Sequence, residues 1–153
     1  TPAGKVVPGK KQFPKPLTQI KISHNKPYVA QATPGFPKDL TDKVEKALGI
    51  QGPTFMNVLS PCTRGWRYPM EESMEIARLA VETCFWPLFE VENGRFKVNR
   101  KPKNKRPVSD WLEKQGRFAH LFKPENRHII DEIQEETDRN WEWLLKREEL
   151  TQE

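Results

Sequence analysis

The two cysteines are the residues of this chain with the widest chemical range, and they lie in different settings. Cys62 stands between a proline and a Thr-Arg-Gly-Trp turn, at the end of an apolar run, in the stretch NVLSPCTRGWRYP. A thiol in that place could have one of four roles: a packing residue that only fills space, a nucleophile, half of a disulfide, or a metal ligand. Cys84 falls on the inward side of a predicted helix end beside Phe85, and it is predicted to be a small buried apolar residue.

The role of Cys62 depends on partners that the sequence either offers or lacks. Two cysteines in 153 residues do not make the disulfide framework of a small secreted domain, which favours a reducing cytoplasm. A nucleophilic cysteine needs a basic partner, and no neighbour within the motif supplies one. The three histidines, His24, His120 and His128, are scattered without other ligands at metal-binding spacing and are predicted to be structural. The residues alone therefore do not decide whether Cys62 is a packing residue or a metal ligand.

The segment before Cys62 predicts a strand-helix-strand unit. YVAQATPG is a β-rich run closed by a Pro-Gly turn, and Leu40, Val44, Ala47 and Leu48 then form the stripe of an amphipathic helix. TFMNVLS follows as a continuous apolar strand, predicted to be buried on both faces of a parallel sheet. This unit places Cys62 just beyond the carboxyl end of its second strand, where ligands bind in open α/β sheets.

Further elements are predicted on both sides of this unit. An extended segment over 1–16 and a short helix in KPLTQIKISHN precede it. A helix in MEESMEIARLAVETC, a hairpin turning at Asn93-Gly94, a charged linker, a short helix capped by Ser109 and a long terminal helix follow it. The apolar stripe of that last helix is interrupted by Thr137. The paired carboxylates near the C-terminus are predicted to form a solvated helix face.

Charge is distributed unevenly along the chain. The net charge is +5, and the segments 1–38 and 95–106 each carry seven basic residues and no acidic one. Such basic segments can bind nucleic acid, an acidic protein or a phosphate-bearing cofactor. A basic nucleic-acid-binding or protein-interaction module is therefore the alternative function. The tryptophans lie in apolar patterns, which favours packing over base stacking. No apolar run reaches the roughly 18 residues of a membrane span.

Four stretches together resemble one known family. PYVAQATPG, GPTFMNVLSPCTRGW, RLAVETCFWPLFE and GRFAHLFKPENRHIIDEIQEETDRNW are similar, in that order, to the C-terminal half of the β subunit of pyruvate:ferredoxin oxidoreductase and its 2-oxoacid relatives. The resemblance implies an α/β fold: the C-terminal half of a thiamine-diphosphate-binding parallel-sheet domain, over 1–87, then a β-hairpin and a C-terminal helical extension, over 88–153.

The resemblance also implies a role for Cys62. In this family the β subunit holds a [4Fe-4S] cluster near thiamine diphosphate, and Cys62 matches the last of the cluster's cysteine ligands. The turn after it could supply backbone N–H donors to the sulfur, and Arg64 could offset the cluster's negative charge. The chain lacks the family's Cys-x-x-Cys pair and the Gly-Asp-Gly motif for Mg²⁺ and diphosphate. Those elements are expected to precede Thr1, so the chain resembles a C-terminal fragment.

The activity implied for the whole assembly is the oxidative decarboxylation of a 2-oxoacid. Coenzyme A would accept the acyl group and ferredoxin the electrons. The implied partners are the α and other subunits and the N-terminal half of the β subunit, in the cytoplasm, without nucleic acid or membrane. The chain alone is expected to be inactive.

Overall fold

A mixed four-stranded sheet flanked by helices is the framework of the protein. The computed structural model describes residues 14–25 and 27–152, so most of the predicted extended segment over 1–16 lies outside the described residues. The strands are β1 (Tyr28–Ala32), β2 (Thr54–Val58), β3 (Phe89–Glu92) and β4 (Arg95–Val98). The helices are α1 (Leu17–Ile22), α2 (Pro37–Gly49), α3 (Thr63–Trp66), α4 (Ser73–Glu82), α5 (Val108–Glu113) and α6 (Arg127–Gln152).

The sheet has the strand order β2-β1-β3-β4. β1 and β2 are parallel and are connected through α2, so the predicted strand-helix-strand unit is confirmed. β3 and β4 form the predicted hairpin, with Asn93 and Gly94 at positive φ in its turn. β3 also pairs antiparallel with β1, so the hairpin extends the same sheet. The division at 87/88 stays a prediction, although strands from both sides of it pair.

The expectation that TFMNVLS is buried on both faces is wrong for this structure. β2 lies at an edge of the sheet, and Val58 is 41% exposed. β1 takes the central position instead, because β3 pairs with its other side, and all five of its residues are buried. A continuous apolar run therefore marked a strand correctly but did not reveal which strand is central.

Two apolar cores hold the helices to one another and to the sheet. The first joins α4, α5 and the start of α6 and contains Tyr68, Ile76, Leu79, Ala80, Val108, Trp111, Leu112, Leu121 and Ile130. The second lies between the hairpin and α6 and contains Phe89, Val91, Phe96, Val98 and Leu144. Every tryptophan belongs to one of these cores or packs against it, which confirms the predicted packing role. α6 contributes to both cores and so links them.

The C-terminal part of α6 covers the open edge of β4, so the predicted solvated carboxylate face is wrong for Glu148, while its neighbours Glu142 and Glu149 are exposed. Glu148 is buried, accepts a hydrogen bond from the Val98 N–H at 2.7 Å and pairs with Lys101 at 2.6 Å. The Thr151 hydroxyl accepts a hydrogen bond from the Phe96 N–H at 2.9 Å. These side chains satisfy backbone donors that an edge strand would otherwise leave unpaired.

The start of α5 differs from the prediction of a Ser109 cap. The helix begins at Val108, and the Val108 N–H donates to Gln134 Oε1 of α6 at 2.7 Å. The cap is thus supplied by a distant element. Thr137, which interrupts the apolar stripe of α6, is buried with its hydroxyl donating to the Ile133 carbonyl at 2.7 Å.

The basic segment 95–106 is largely neutralised within the chain. Its ion pairs join Lys97 to Glu90, Arg100 to Glu82, Lys101 to Glu148, Lys105 to Asp138 and Arg106 to Asp110. A segment paired in this way is a poorer surface for nucleic acid than its composition indicates. Among the described residues, no helix is long and apolar enough to cross a membrane.

Candidate functional site

The backbone that leads to Cys62 is fixed to the end of β1. Beyond β2, the Leu59 N–H donates to the Ala32 carbonyl at 3.0 Å, and the Thr33 hydroxyl donates to the Leu59 carbonyl at 2.9 Å. These bonds continue the contact of the two parallel strands past their ends. Cys62 therefore lies at the carboxyl edge of the sheet, as the sequence predicted.

Cys62 is the N-cap of the one-turn helix α3. Its backbone is extended, and its carbonyl accepts a hydrogen bond from the Trp66 N–H at 2.8 Å. Its sulfur accepts one from the Gly65 N–H at 3.4 Å, so the expected backbone donor to the sulfur is present. The thiol is exposed. The sulfur is thus accessible and oriented by its own turn.

The exit from this turn is fixed against the segment after α5. Arg67 adopts the left-handed conformation with φ 59°, and its carbonyl accepts a hydrogen bond from the Gly116 N–H at 3.1 Å. A Cβ atom at position 116 would lie 2.8 Å from that carbonyl oxygen. Glycine is required there because the two backbones approach too closely for a side chain.

Trp111 supports the turn from below. Its ring is 2% exposed and meets the Trp66 ring edge-on at a centroid distance of 5.7 Å. Phe85 stacks on it at 4.3 Å, and its indole N–H donates to the Ile76 carbonyl at 3.1 Å. The turn that carries Cys62 therefore rests on the centre of the helical core.

Arg117 is a residue of this site that sequence reasoning missed. Its guanidinium lies over the rings of Trp66 and Phe118, at 4.2 and 4.5 Å from the ring centroids. Two of its nitrogens donate to Gln115 Oε1 at 2.9 and 2.7 Å. Burial lowers the pKa of Arg117 to about 10, while a negative charge on Cys62 acts to raise it. The GRF stretch offered no local signal that its arginine lies beside Cys62.

Cys84 is placed as the sequence predicted. It lies just past the end of α4, it is 2% exposed, and burial raises the pKa of its thiol to about 11. An inaccessible thiol that resists ionisation is a poor nucleophile and a poor metal ligand.

The two thiols are expected to react with alkylating reagents at very different rates. In the folded chain by itself, without a cluster, iodoacetamide should modify Cys62 readily, because its sulfur is exposed. Cys84 should react only after denaturation, since burial shields it and disfavours its thiolate. Mass spectrometry of peptides from a time course measures both rates. Equal rates in the native chain would contradict this placement of the two residues.

The described residues fit one ligand position of an iron-sulfur cluster and no complete metal site. Cys62 offers a soft, accessible sulfur with a backbone N–H donor, which suits a cluster ligand. Within 14–25 and 27–152, no three histidine, cysteine or carboxylate side chains are grouped so as to hold a metal ion. No residue of this part is therefore assigned to Mg²⁺ or thiamine diphosphate, and a cluster would need ligands from elsewhere.

Comparison with known proteins identifies relatives over nearly the whole chain. The chain is 47% identical over 153 residues to the pyruvate synthase subunit PorB of Thermotoga maritima and 45% identical over 151 residues to that of Methanosarcina barkeri. It is 40% identical over 152 residues to the ketoisovalerate oxidoreductase subunit VorB of Pyrococcus horikoshii. The resemblance to the β subunits of the 2-oxoacid:ferredoxin oxidoreductases is confirmed. No family model matches the chain.

The relationship covers only part of each β subunit. The alignments include 99%, 98% and 98% of this chain but 47%, 50% and 48% of these three relatives. The chain thus spans about half the length of the β subunits it matches. Its predicted α/β fold with a C-terminal helix is confirmed by the mixed sheet and α6.

Proposed function

We propose that this chain forms about half of the β subunit of a 2-oxoacid:ferredoxin oxidoreductase and that Cys62 donates one thiolate to a [4Fe-4S] cluster. The observation that carries the proposal is an exposed sulfur, held at the carboxyl end of a parallel strand, in a chain related throughout to such subunits. The other thiolates would come from segments of the subunit outside this chain, since Cys84 is buried.

The residues around Cys62 would position the sulfur and limit its movement. Gly65 presents its N–H to the sulfur, and such a donor stabilises negative charge on a thiolate. Trp66 anchors the turn on Trp111, so the sulfur keeps one orientation. When bound, the cluster would supply one-electron transfer. The chain's own contribution is a ligand on a rigid support, so it acts on electron transfer rather than proton transfer.

The complete assembly would decarboxylate a 2-oxoacid oxidatively in the cytoplasm. Thiamine diphosphate with Mg²⁺, coenzyme A as acyl acceptor and ferredoxin as electron acceptor are the proposed cofactors and partners, together with the α and other subunits. Pyruvate is the proposed acid, because three relatives named for pyruvate synthesis reach 45–47% identity, above the 40% of the three named for ketoisovalerate; two further pyruvate synthase subunits stand at 40% and 38%. The chain alone should be inactive, since the residues that the structure describes offer one proposed cluster ligand and no grouped set of metal ligands.

Replacing Cys62 with serine in the intact assembly tests this function. The Cys62→Ser β subunit is expected to lose iron equivalent to about one cluster, because serine is a hard and weak ligand for that site. Electron transfer to ferredoxin should fall with the iron. The matched control is Cys84→Ser, which removes a buried thiol and should retain iron. A folded Cys62→Ser assembly with full iron content and full ferredoxin reduction would overturn the proposal.

A further inference from the structure

We propose that Arg117 is the positioned cation that faces the cluster ligated by Cys62 and that it makes this cluster easier to reduce. This inference rests on the function proposed above. The geometry that carries it is the stack of the Arg117 guanidinium on Trp66, a residue of the same one-turn helix that Cys62 caps.

Arg117 lies against the turn that carries the sulfur: its guanidinium stacks on Trp66, and the Gly116 N–H just before it donates to the Arg67 carbonyl at the end of that turn. Cys62 and Trp66 are joined by a hydrogen bond from the Trp66 N–H to the Cys62 carbonyl at 2.8 Å, the bond that closes one helical turn. The helix α3 is only four residues long, so the guanidinium stacked on Trp66 lies within about one helical turn of the residue that caps it. The response of the Arg117 pKa to charge on Cys62 agrees with this proximity.

The guanidinium is held firmly and keeps its charge. Gln115, which is fully buried, receives two hydrogen bonds from Arg117 and donates one to the Trp111 carbonyl at 2.8 Å. The Trp66 and Phe118 rings fix the guanidinium plane. With a pKa of about 10, Arg117 stays protonated near neutral pH. It is thus a fixed positive charge rather than a mobile one.

No carboxylate of the described residues neutralises Arg117. Its hydrogen bonds go to an amide oxygen, and it takes part in none of the ion pairs within 4.0 Å that the other basic residues form. Among these residues its charge is therefore available to a nearby anion. Arg64, the cation that the sequence indicated, is exposed and so more strongly screened by water.

The expected consequence follows from the charge on the cluster. Thiolate ligands make the cluster negative, and one-electron reduction from an external reductant such as dithionite adds a further negative charge. A nearby fixed cation stabilises the reduced form more than the oxidised form, because the reduced form carries more negative charge. Removing that cation should make the reduction potential more negative while leaving the ligands in place.

The test compares variants of the intact oxidoreductase in a redox titration monitored by electron paramagnetic resonance. The signal to follow is the one that Cys62→Ser removes. Arg117→Gln is expected to keep iron content and signal intensity while shifting the midpoint potential to a more negative value. Arg117→Lys, which retains the charge, should restore most of the potential, and Arg64→Gln should leave it close to that of the unmodified protein.

The outcomes separate this inference from the function on which it depends. An unchanged midpoint in Arg117→Gln, with the cluster intact, would overturn the role of Arg117 and leave Cys62 as a ligand. Loss of iron in Arg117→Gln, or an equal shift in Arg64→Gln, would also overturn it. Full iron and an undiminished set of signals in Cys62→Ser would instead reject Cys62 as a ligand, whatever Arg117 does.

Discussion

Replacing Trp111 with alanine is expected to lower the free energy of unfolding by about 3–5 kcal/mol, the range seen when a buried aromatic side chain is deleted from a core. Trp111 is 2% exposed and contacts aromatic rings on several sides. Its removal would leave a cavity beneath Trp66 and take away the indole hydrogen bond to the Ile76 carbonyl. Urea denaturation followed by circular dichroism measures the loss.

Two further variants test whether the loss of stability comes from the buried position of Trp111. Trp111→Phe keeps an aromatic ring and should cost less than the alanine variant, because it loses mainly the indole hydrogen bond and part of the ring volume. Leu48→Ala removes an apolar side chain that is 82% exposed and should change the free energy by less than about 0.5 kcal/mol. A Trp111→Ala loss as small as that of Leu48→Ala would contradict the assignment of Trp111 to the core.

Replacing Asp39 with asparagine is expected to cost about 3–5 kcal/mol, since it leaves a buried ammonium group without its counter-charge. Lys43 is 2% exposed, and its ammonium donates to Asp39 Oδ2 at 2.8 Å and to the Gln31 carbonyl at 2.9 Å. These bonds hold α2 on the central strand of the sheet. The double variant Asp39→Asn/Lys43→Met should recover most of the loss, because neither charge then remains buried.

The cost of Asp39→Asn should shrink as the pH rises toward 10.5, the ordinary pKa of lysine. Burial lowers the pKa of Lys43, and removing Asp39 takes away its main opposing charge. Above its folded-state pKa, Lys43 is neutral in the folded protein while the unfolded chain still binds the proton, so stability rises with pH. Denaturation at about pH 7 and about pH 9.5 measures this change.

The control for Asp39→Asn is Asp42→Asn, in the same helix. Asp42 pairs with Lys38 at the same four-residue spacing, at 2.7 Å, but both side chains are more than half exposed. Water screens such a pair, so its loss should leave stability nearly unchanged. Equal costs for the two asparagine variants, or a cost for Asp39→Asn that grows with pH, would contradict the buried role of Lys43.

Local patterns predicted the elements of the fold well. Strand-helix-strand order before Cys62, the turn at Asn93-Gly94 and the long terminal helix all follow from short-range periodicity and turn chemistry. The position of Cys62 beyond β2 followed directly, because only the order and direction of two strands were needed. Burial of Cys84 followed from its predicted place on the inward side of a helix end.

Features that depend on contacts between residues distant in the sequence could not be predicted from local patterns. β2 was expected to be fully buried, but its burial depends on which strands pair with it. Glu148 looked like a surface carboxylate because nothing near it in the sequence shows the open edge of β4. Arg117 was not predicted as a site residue for the same reason, because Trp66, on which its guanidinium stacks, is distant from it in the sequence. Such long-range pairings decide burial and charge, while periodicity decides secondary structure.

Crystals of the proposed intact assembly would show directly whether Cys62 binds iron. Anomalous scattering measured at the iron absorption edge shows where iron atoms lie, independently of activity. We expect an iron peak at bonding distance from the Cys62 sulfur, with the remaining ligands supplied by parts of the subunit outside this chain. An intact assembly in which that sulfur contacts only protein or solvent, with every iron site elsewhere, would contradict this expectation.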